Sequence, residues 1–171
     1  MAVTYEALAN QTAGAGGVGL VNFTNIPQTY TDLRVTFYVY SINGAQTCRF
    51  GVLGDTGSNG WDQQIISAAG TQRLTTKNTS SNWLNLNFRT NLSTDSQDFV
   101  QGWIDIMDYA NPNIRKSVIS YTGMQNNLME RSIALYFQST PLSGFTSVQF
   151  RTNTGDFGQG SRFAVYGIKR A

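Results

Sequence analysis

Histidine is absent from this chain of 171 residues, cysteine occurs once (Cys48), and glutamate occurs only at Glu6 and Glu130. Those side chains carry most proton transfer, covalent catalysis and zinc or iron ligation. A Ser-His-Asp triad is therefore excluded, and a serine nucleophile would need Lys77, Lys116 or Lys169 buried beside it as the base. A lone thiol excludes any disulfide within one chain, so Cys48 is expected to be a small buried apolar residue. Charge is scarce too: 13% of residues are charged and the net charge is +2, against a usual charged share of about a quarter. Arg115-Lys116 and Lys169-Arg170 are the only adjacent basic pairs. The dense basic stripe that neutralises phosphates is missing, which argues against a nucleic-acid partner. No apolar run approaches the roughly 20 residues needed to span a bilayer. The segment Met1–Glu6 lacks the charged start and apolar run of a signal peptide. No membrane partner is expected, and the chain reads as made in the cytosol and used there, or assembled there into something released by lysis.

What is present is a polar, uncharged surface chemistry. Ser, Thr, Asn and Gln make up roughly a third of the chain, an unusual share, beside 40% hydrophobic and 12% aromatic residues. Disorder needs few aromatics and high net charge, and this chain has neither. Its length suits a single domain over residues 1–171 with one core.

The apolar residues recur with period two. In Leu33–Tyr40, Leu33, Val35, Phe37 and Val39 fall on one face, with Arg34, Thr36, Tyr38 and Tyr40 on the other. Similar stretches occupy Val18–Phe23, Trp83–Arg89, Phe99–Met107, Val118–Tyr121, Ile133–Phe137, Thr146–Arg151 and Arg162–Ile168. Turn signals separate them, among them Asn43-Gly44, Asn111-Pro112 and Gly155-Asp156. Helical periodicity with a cap and a stop is missing; the best helical candidate, Asp62–Ala69, reads equally as a strand. The expected fold is all-β: an antiparallel two-sheet β-sandwich, jelly-roll-like. Gln11–Gly19, with four glycines, is expected to be a flexible arm or hinge after a short first strand. Gly51–Asn82 is expected to be a long loop.

Candidate chemistry is thin. Asp105 and Asp108 lie three apart on a strand, so they point to opposite faces and cannot flank a glycosidic bond. Asp55–Gly60 lacks the third-position acid and closing Glu of a calcium loop. Gly155–Gly160 has no following helix to hold a phosphate and reads as a hairpin loop. No catalytic residue, metal site or cofactor is expected. Aromatics amid amides are another matter. Tyr38, Tyr40, Trp61 and Trp83 are the candidate interface or ligand face, able to anchor a protein contact or stack on sugar rings.

Four segments carry a family resemblance: Asn25–Leu33 (NIPQTYTDL), Ile104–Asn113 (IDIMDYANPN), Phe145–Phe150 (FTSVQF) and Gly160–Lys169 (GSRFAVYGIK). Together the chain resembles small β-sandwich virion structural proteins of tailed bacteriophages. The resemblance implies a non-enzymatic particle component with no catalytic residues to carry over. The stand-alone length and the absence of a fibre shaft or coiled coil favour, within that family, a capsid decoration or cement protein on the virion surface, synthesised in the host cytoplasm. Its partners would be the major capsid protein and copies of itself, as a trimer between capsomers. The alternative it leaves open is a tail-fibre or receptor-binding module that recognises a host surface glycan.

Overall fold

The computed structural model describes residues 3–42, 46–52, 60–69, 72–81, 83–86, 94, 99–124, 128–137 and 144–170. Among these residues the chain is all-β, with no helix. The strands are β1 (Val3–Thr12), β2 (Leu20–Phe23), β3 (Asp32–Val39), β4 (Cys48–Gly51), β5 (Gly60–Ala69), β6 (Gln72–Ser81), β7 (Leu84–Asn85), β8 (Val100–Met107), β9 (Lys116–Met124), β10 (Leu128–Phe137), β11 (Val148–Thr152) and β12 (Arg162–Arg170).

The alternation read in the sequence is the alternation of burial. In β3, Leu33, Val35, Phe37 and Val39 are buried while Arg34, Thr36 and Tyr38 are half-buried on the other face. One sheet has eight strands in the order β1-β12-β3-β8-β9-β10-β5-β6, and the other has four in the order β2-β11-β4-β7. Every pairing is antiparallel. β1-β12-β3-β8 in one sheet, facing β2-β11-β4-β7 in the other, is the order produced when a long antiparallel hairpin is rolled up. The fold is therefore a jelly-roll β-sandwich. The remaining strands, β9, β10, β5 and β6, extend the larger sheet past its partner as a wing.

The core lies between the sheets. Phe150 packs on Phe37, Phe50 and Phe163 with ring centroids 5.7, 5.3 and 5.0 Å away, in tilted or edge-on geometry. Cys48 is fully buried in this cluster, and burial pushes its thiol pKa far above the usual range. It is an inert packing residue, as its chemistry suggested. Among the described residues the wing has no opposing strand, yet residues on its inner face such as Gln63 are buried. Gln63 of β5, 2% exposed, donates to the Asn85 carbonyl (2.7 Å) and accepts from the Asn85 N–H (3.2 Å). One side-chain amide thereby satisfies the backbone of β7 where another strand would have paired.

Several expectations need correction. β1 is long and runs through Thr12, and the glycine segment after it makes backbone hydrogen bonds to the Phe157–Ser161 stretch. Ala13 N–H donates to the Ser161 carbonyl at 2.8 Å, and Val18 and Phe157 exchange backbone hydrogen bonds of 3.0 and 2.9 Å. Glycine is needed there because Gly16 and Gly17 have φ of 99° and 79°. Within Gly51–Asn82 lie β5 and β6, paired as a hairpin, so most of that span is sheet and Asp62–Ala69 is strand. Gly155–Gly160 is not a hairpin loop, because β11 and β12 belong to different sheets and the segment crosses between them. Asp55–Asn59, most of the proposed calcium-like loop, lies outside the described residues.

The four segments that carry the family resemblance meet at one end of the sandwich. Ile26 N–H donates to the Thr146 carbonyl (2.9 Å), and Gln28 Nε2 donates to the Ile26 and Phe145 carbonyls (both 2.9 Å). The buried Tyr109 donates its hydroxyl to the Pro27 carbonyl. Asp32 accepts the Asp108 N–H at 2.9 Å and pairs with Arg170 at 2.6 Å. Tyr30 lies flat on Gly167, its ring 2.5 Å from where a Cβ would stand. These residues are a structural knot that ties the start of β3 and the end of β8 to the last strand.

Candidate binding face

The outer face of the larger sheet follows from register. Across five strands, Asn10 pairs with Ala164, Ala164 with Thr36, Thr36 with Trp103, and Trp103 with Tyr121. Their neighbours in each strand (Val165, Val35, Ile104, Ser120) are buried, so period-two alternation turns this row outward. Ala164 and Thr36 are small. On one side of them runs Tyr166–Arg34–Asp105, and on the other Arg162–Tyr38–Gln101–Gly123. The result is a groove of about 700 Å³ running over β1, β12, β3, β8 and β9.

Two features define its chemistry. Trp103 and Tyr121 stack across β8 and β9 with centroids 4.9 Å apart and planes 19° apart, and Trp103 is 39% exposed. Among the described residues, Arg162 is the one charged residue in the lining and no carboxylate lines it. Just outside it, Arg34 grips Asp105 with two hydrogen bonds of 2.6 and 2.7 Å. That bond raises the Arg34 pKa and leaves its charge compensated. Gly123 leaves a gap in the outward row: a Cβ there would meet no atom within 4 Å.

The sequence-based candidates scatter. Tyr38 lines the groove and stacks on Phe99 at 4.0 Å. Tyr40, at the end of the same strand, instead packs its ring over Gly158 and donates its hydroxyl to the Gln159 carbonyl. Trp61 belongs to no surface: it is fully buried, 5.9 Å from Phe50 and 6.3 Å from Phe145 by ring centroids. It was expected in a loop, where an indole would reach solvent; it lies instead on the inner side of β5, where the wing needs an apolar cover. Trp83 is half-buried on the outer side of the smaller sheet, far from Tyr38 in the fold. Its ring covers Gly51 at 2.8 Å from a Cβ position, and the Arg151 guanidinium lies 3.9 Å above its centroid. Trp61 and Trp83 are thus removed from the Tyr38 face.

Trp103, Tyr121 and Gly123 were missed, although a signal existed for the first. In Trp103-Ile104-Asp105-Ile106 the isoleucines mark the inner face, so Trp103 must point out. Which strands flank β8 could not be read from that pattern.

Elsewhere, charge is handled locally. Lys116, a conceivable catalytic base, is fully buried, and burial lowers its pKa against an opposing pull from Asp108. Its ammonium donates to the Asn111 and Ile114 carbonyls, which closes the β8–β9 turn. On the smaller sheet Arg49 and Arg151 are register partners. Burial and the neighbouring Arg151 lower the Arg49 pKa, and neither Nε has a hydrogen-bond partner among the described residues. No group of three or more potential metal ligands occurs among the described residues.

No family model matches this chain, and no curated protein matches it. Among solved structures, the galectin LEC-6 of Caenorhabditis elegans aligns over 94% of this chain and 96% of its own, with 7% identity and a TM-score of 0.36. The class of the protein, an antiparallel jelly-roll β-sandwich, stands on its own strand order.

Proposed function

We propose that this chain is a non-enzymatic structural protein of a phage virion, a capsid decoration or cement protein that binds and stabilises the shell. The observation that carries the reading is the outer side of the wing. Ile66, Met129 and Leu135 are 53%, 63% and 45% exposed there, on neighbouring strands β5 and β10. Large apolar side chains exposed on neighbouring strands of one sheet face favour a protein contact over bare solvent. The rigid frame behind them supports the same reading, because a preorganised surface loses little entropy on docking. Each contact is modest; repetition by symmetry makes the assembly firm. The partner is the major capsid protein, with a trimer of this chain as the docking unit.

The test is copy number per particle, by quantitative mass spectrometry against the major capsid protein. Hundreds of copies are the expected result. A few to a few dozen copies, retained on detached tails, would overturn the capsid reading in favour of a tail-fibre or receptor-binding module. Charge substitutions at Met129 and Leu135 should release the protein from shells without unfolding it.

A further inference from the structure

We infer that the groove over β1, β12, β3, β8 and β9 is a saccharide-binding site, taking a short oligosaccharide with uncharged hydroxyls. This inference concerns the jelly-roll half of the sheet and does not depend on where in a particle the protein sits.

The chemistry of the lining selects the ligand. A sugar ring offers a C–H face that is apolar and a rim of hydroxyls that both donate and accept. The Trp103–Tyr121 pair offers a wall for the first: two rings nearly parallel, 4.9 Å apart, with the indole 39% exposed at the groove. For the second, Asn10 and Gln101 offer amides and Thr36 and Tyr38 offer hydroxyls, each able to donate and accept. All four come from the register described above, on a rigid sheet rather than on loops, so their spacing is set before the ligand arrives. A volume of about 700 Å³ lies within the range of small-ligand sites.

Other occupants fit less well. A nucleic-acid strand would bring a phosphate for every base that stacks, and among the described residues the lining has one cation, Arg162, to meet them. A purely apolar ligand would leave the amides and hydroxyls facing hydrocarbon without partners, with the desolvation of each uncompensated. A protein segment would be expected to use several large exposed apolar groups; of those, the lining holds Trp103 and, at its border, Met129, while Ile66 and Leu135 lie on the wing and Val3 and Tyr5 on β1 outside the lining.

Gly123 supplies a test that leaves the fold intact. Its missing side chain keeps the groove open between Gln101 and Met129 in the outward row. Gly123→Val has room for its Cβ and places a strand-favouring residue in a strand, while filling the space a sugar would enter. The experiment is a glycan array of neutral and uronic-acid-containing oligosaccharides probed with the full-length protein. The best ligand is then titrated while the tryptophan indole NMR signals are followed.

The expected result is millimolar or tighter binding of a neutral oligosaccharide that moves the Trp103 indole signal and not that of Trp61. Trp103→Ala should weaken it about tenfold or more, as for a central aromatic contact. Gly123→Val should abolish it with an unchanged unfolding midpoint, and Trp83→Ala should bind as the wild type does. The inference is overturned if no oligosaccharide binds at millimolar concentration, or if binding survives both Trp103→Ala and Gly123→Val. Preference for uronic acids through Arg162 would overturn the neutral assignment. Burial of Trp103 against another protein in intact particles would make the groove an interface instead.

Discussion

The two sheets of this sandwich share a core but present opposite outer surfaces. On the smaller sheet the face is closed: Trp83 lies over Gly51, Arg151 lies over Trp83, and Arg49 crowds beside Arg151. On the larger sheet the face is open: Gly123 is left uncovered, and the Trp103–Tyr121 pair stands beside the gap instead of filling it. Each face has a tryptophan, a glycine and an arginine. The difference is whether the aromatic ring covers the glycine. The Trp83 ring covers its own sheet, whereas the Trp103 ring stands beside a vacancy and stays 39% exposed, stacked on Tyr121 with the Arg34 guanidinium 5.9 Å from its centroid.

The same substitution made on both faces should break this comparison if it is wrong. Gly51→Val places a Cβ 2.8 Å from the Trp83 ring, so the ring must lift off the sheet. A loss of about 1–3 kcal/mol in urea unfolding is expected, in line with overpacking at tight sites. Gly123→Val should stay within about 0.5 kcal/mol of wild type, as a surface change with room around it. Equal losses for the two variants would mean that the open groove does not exist in solution.

The pH response separates the faces from the interior beneath them. The Lys116 pKa is lowered in the folded state, so between that value and its ordinary one the unfolded chain binds more protons. Stability then rises with pH through this window, up to about pH 10.5. Tyr109 works in the opposite sense: burial raises its pKa, so the folded state holds its proton longer and stability falls above about pH 10. The difference in unfolding free energy between wild type and Lys116→Met isolates the lysine. That difference should shift in favour of wild type as pH increases toward 10. A flat difference would show that the ammonium is not buried as described.

The smallest effect should come from the closed face itself. Arg49 and Arg151 repel each other, and the Nε of Arg49 has no hydrogen-bond partner among the described residues. Arg49→Met should raise stability by up to about 1 kcal/mol at low salt, with a smaller gain at 1 M salt, where screening already relieves the repulsion. Destabilisation would mean that Arg49 has an anionic partner in solution, and the closed face would need to be reconsidered as a binding surface.

How much of this was legible beforehand depends on the range over which each feature is decided. Alternation in Leu33–Tyr40 is local, because side chains two apart share a face whatever the strand pairs with. The all-β class, the inward set of β3 and the burial of Cys48 could therefore be read directly. Trp61 shows the limit. Its neighbours Asp62, Gln63 and Gln64 are polar, and nothing nearby in sequence says that Gln63 would satisfy the edge of β7 or that the indole would close the wing against Phe50. The crossing at Gly155–Gly160 was misread for the same reason, since a turn signal does not name the sheet of the strand that follows.

By itself, then, the sequence determined the period-two pattern, the scarcity of groups for acid–base or metal chemistry, and which side of each clear strand faces inward. Those properties depend on residue type and on the fixed geometry of an extended chain. Only the tertiary structure decided that Trp103 stands beside Tyr121, that Gly123 stays open and that Trp83 covers Gly51. Each depends on which strands become neighbours and in what register, and a shift of one residue in pairing would have exchanged the faces.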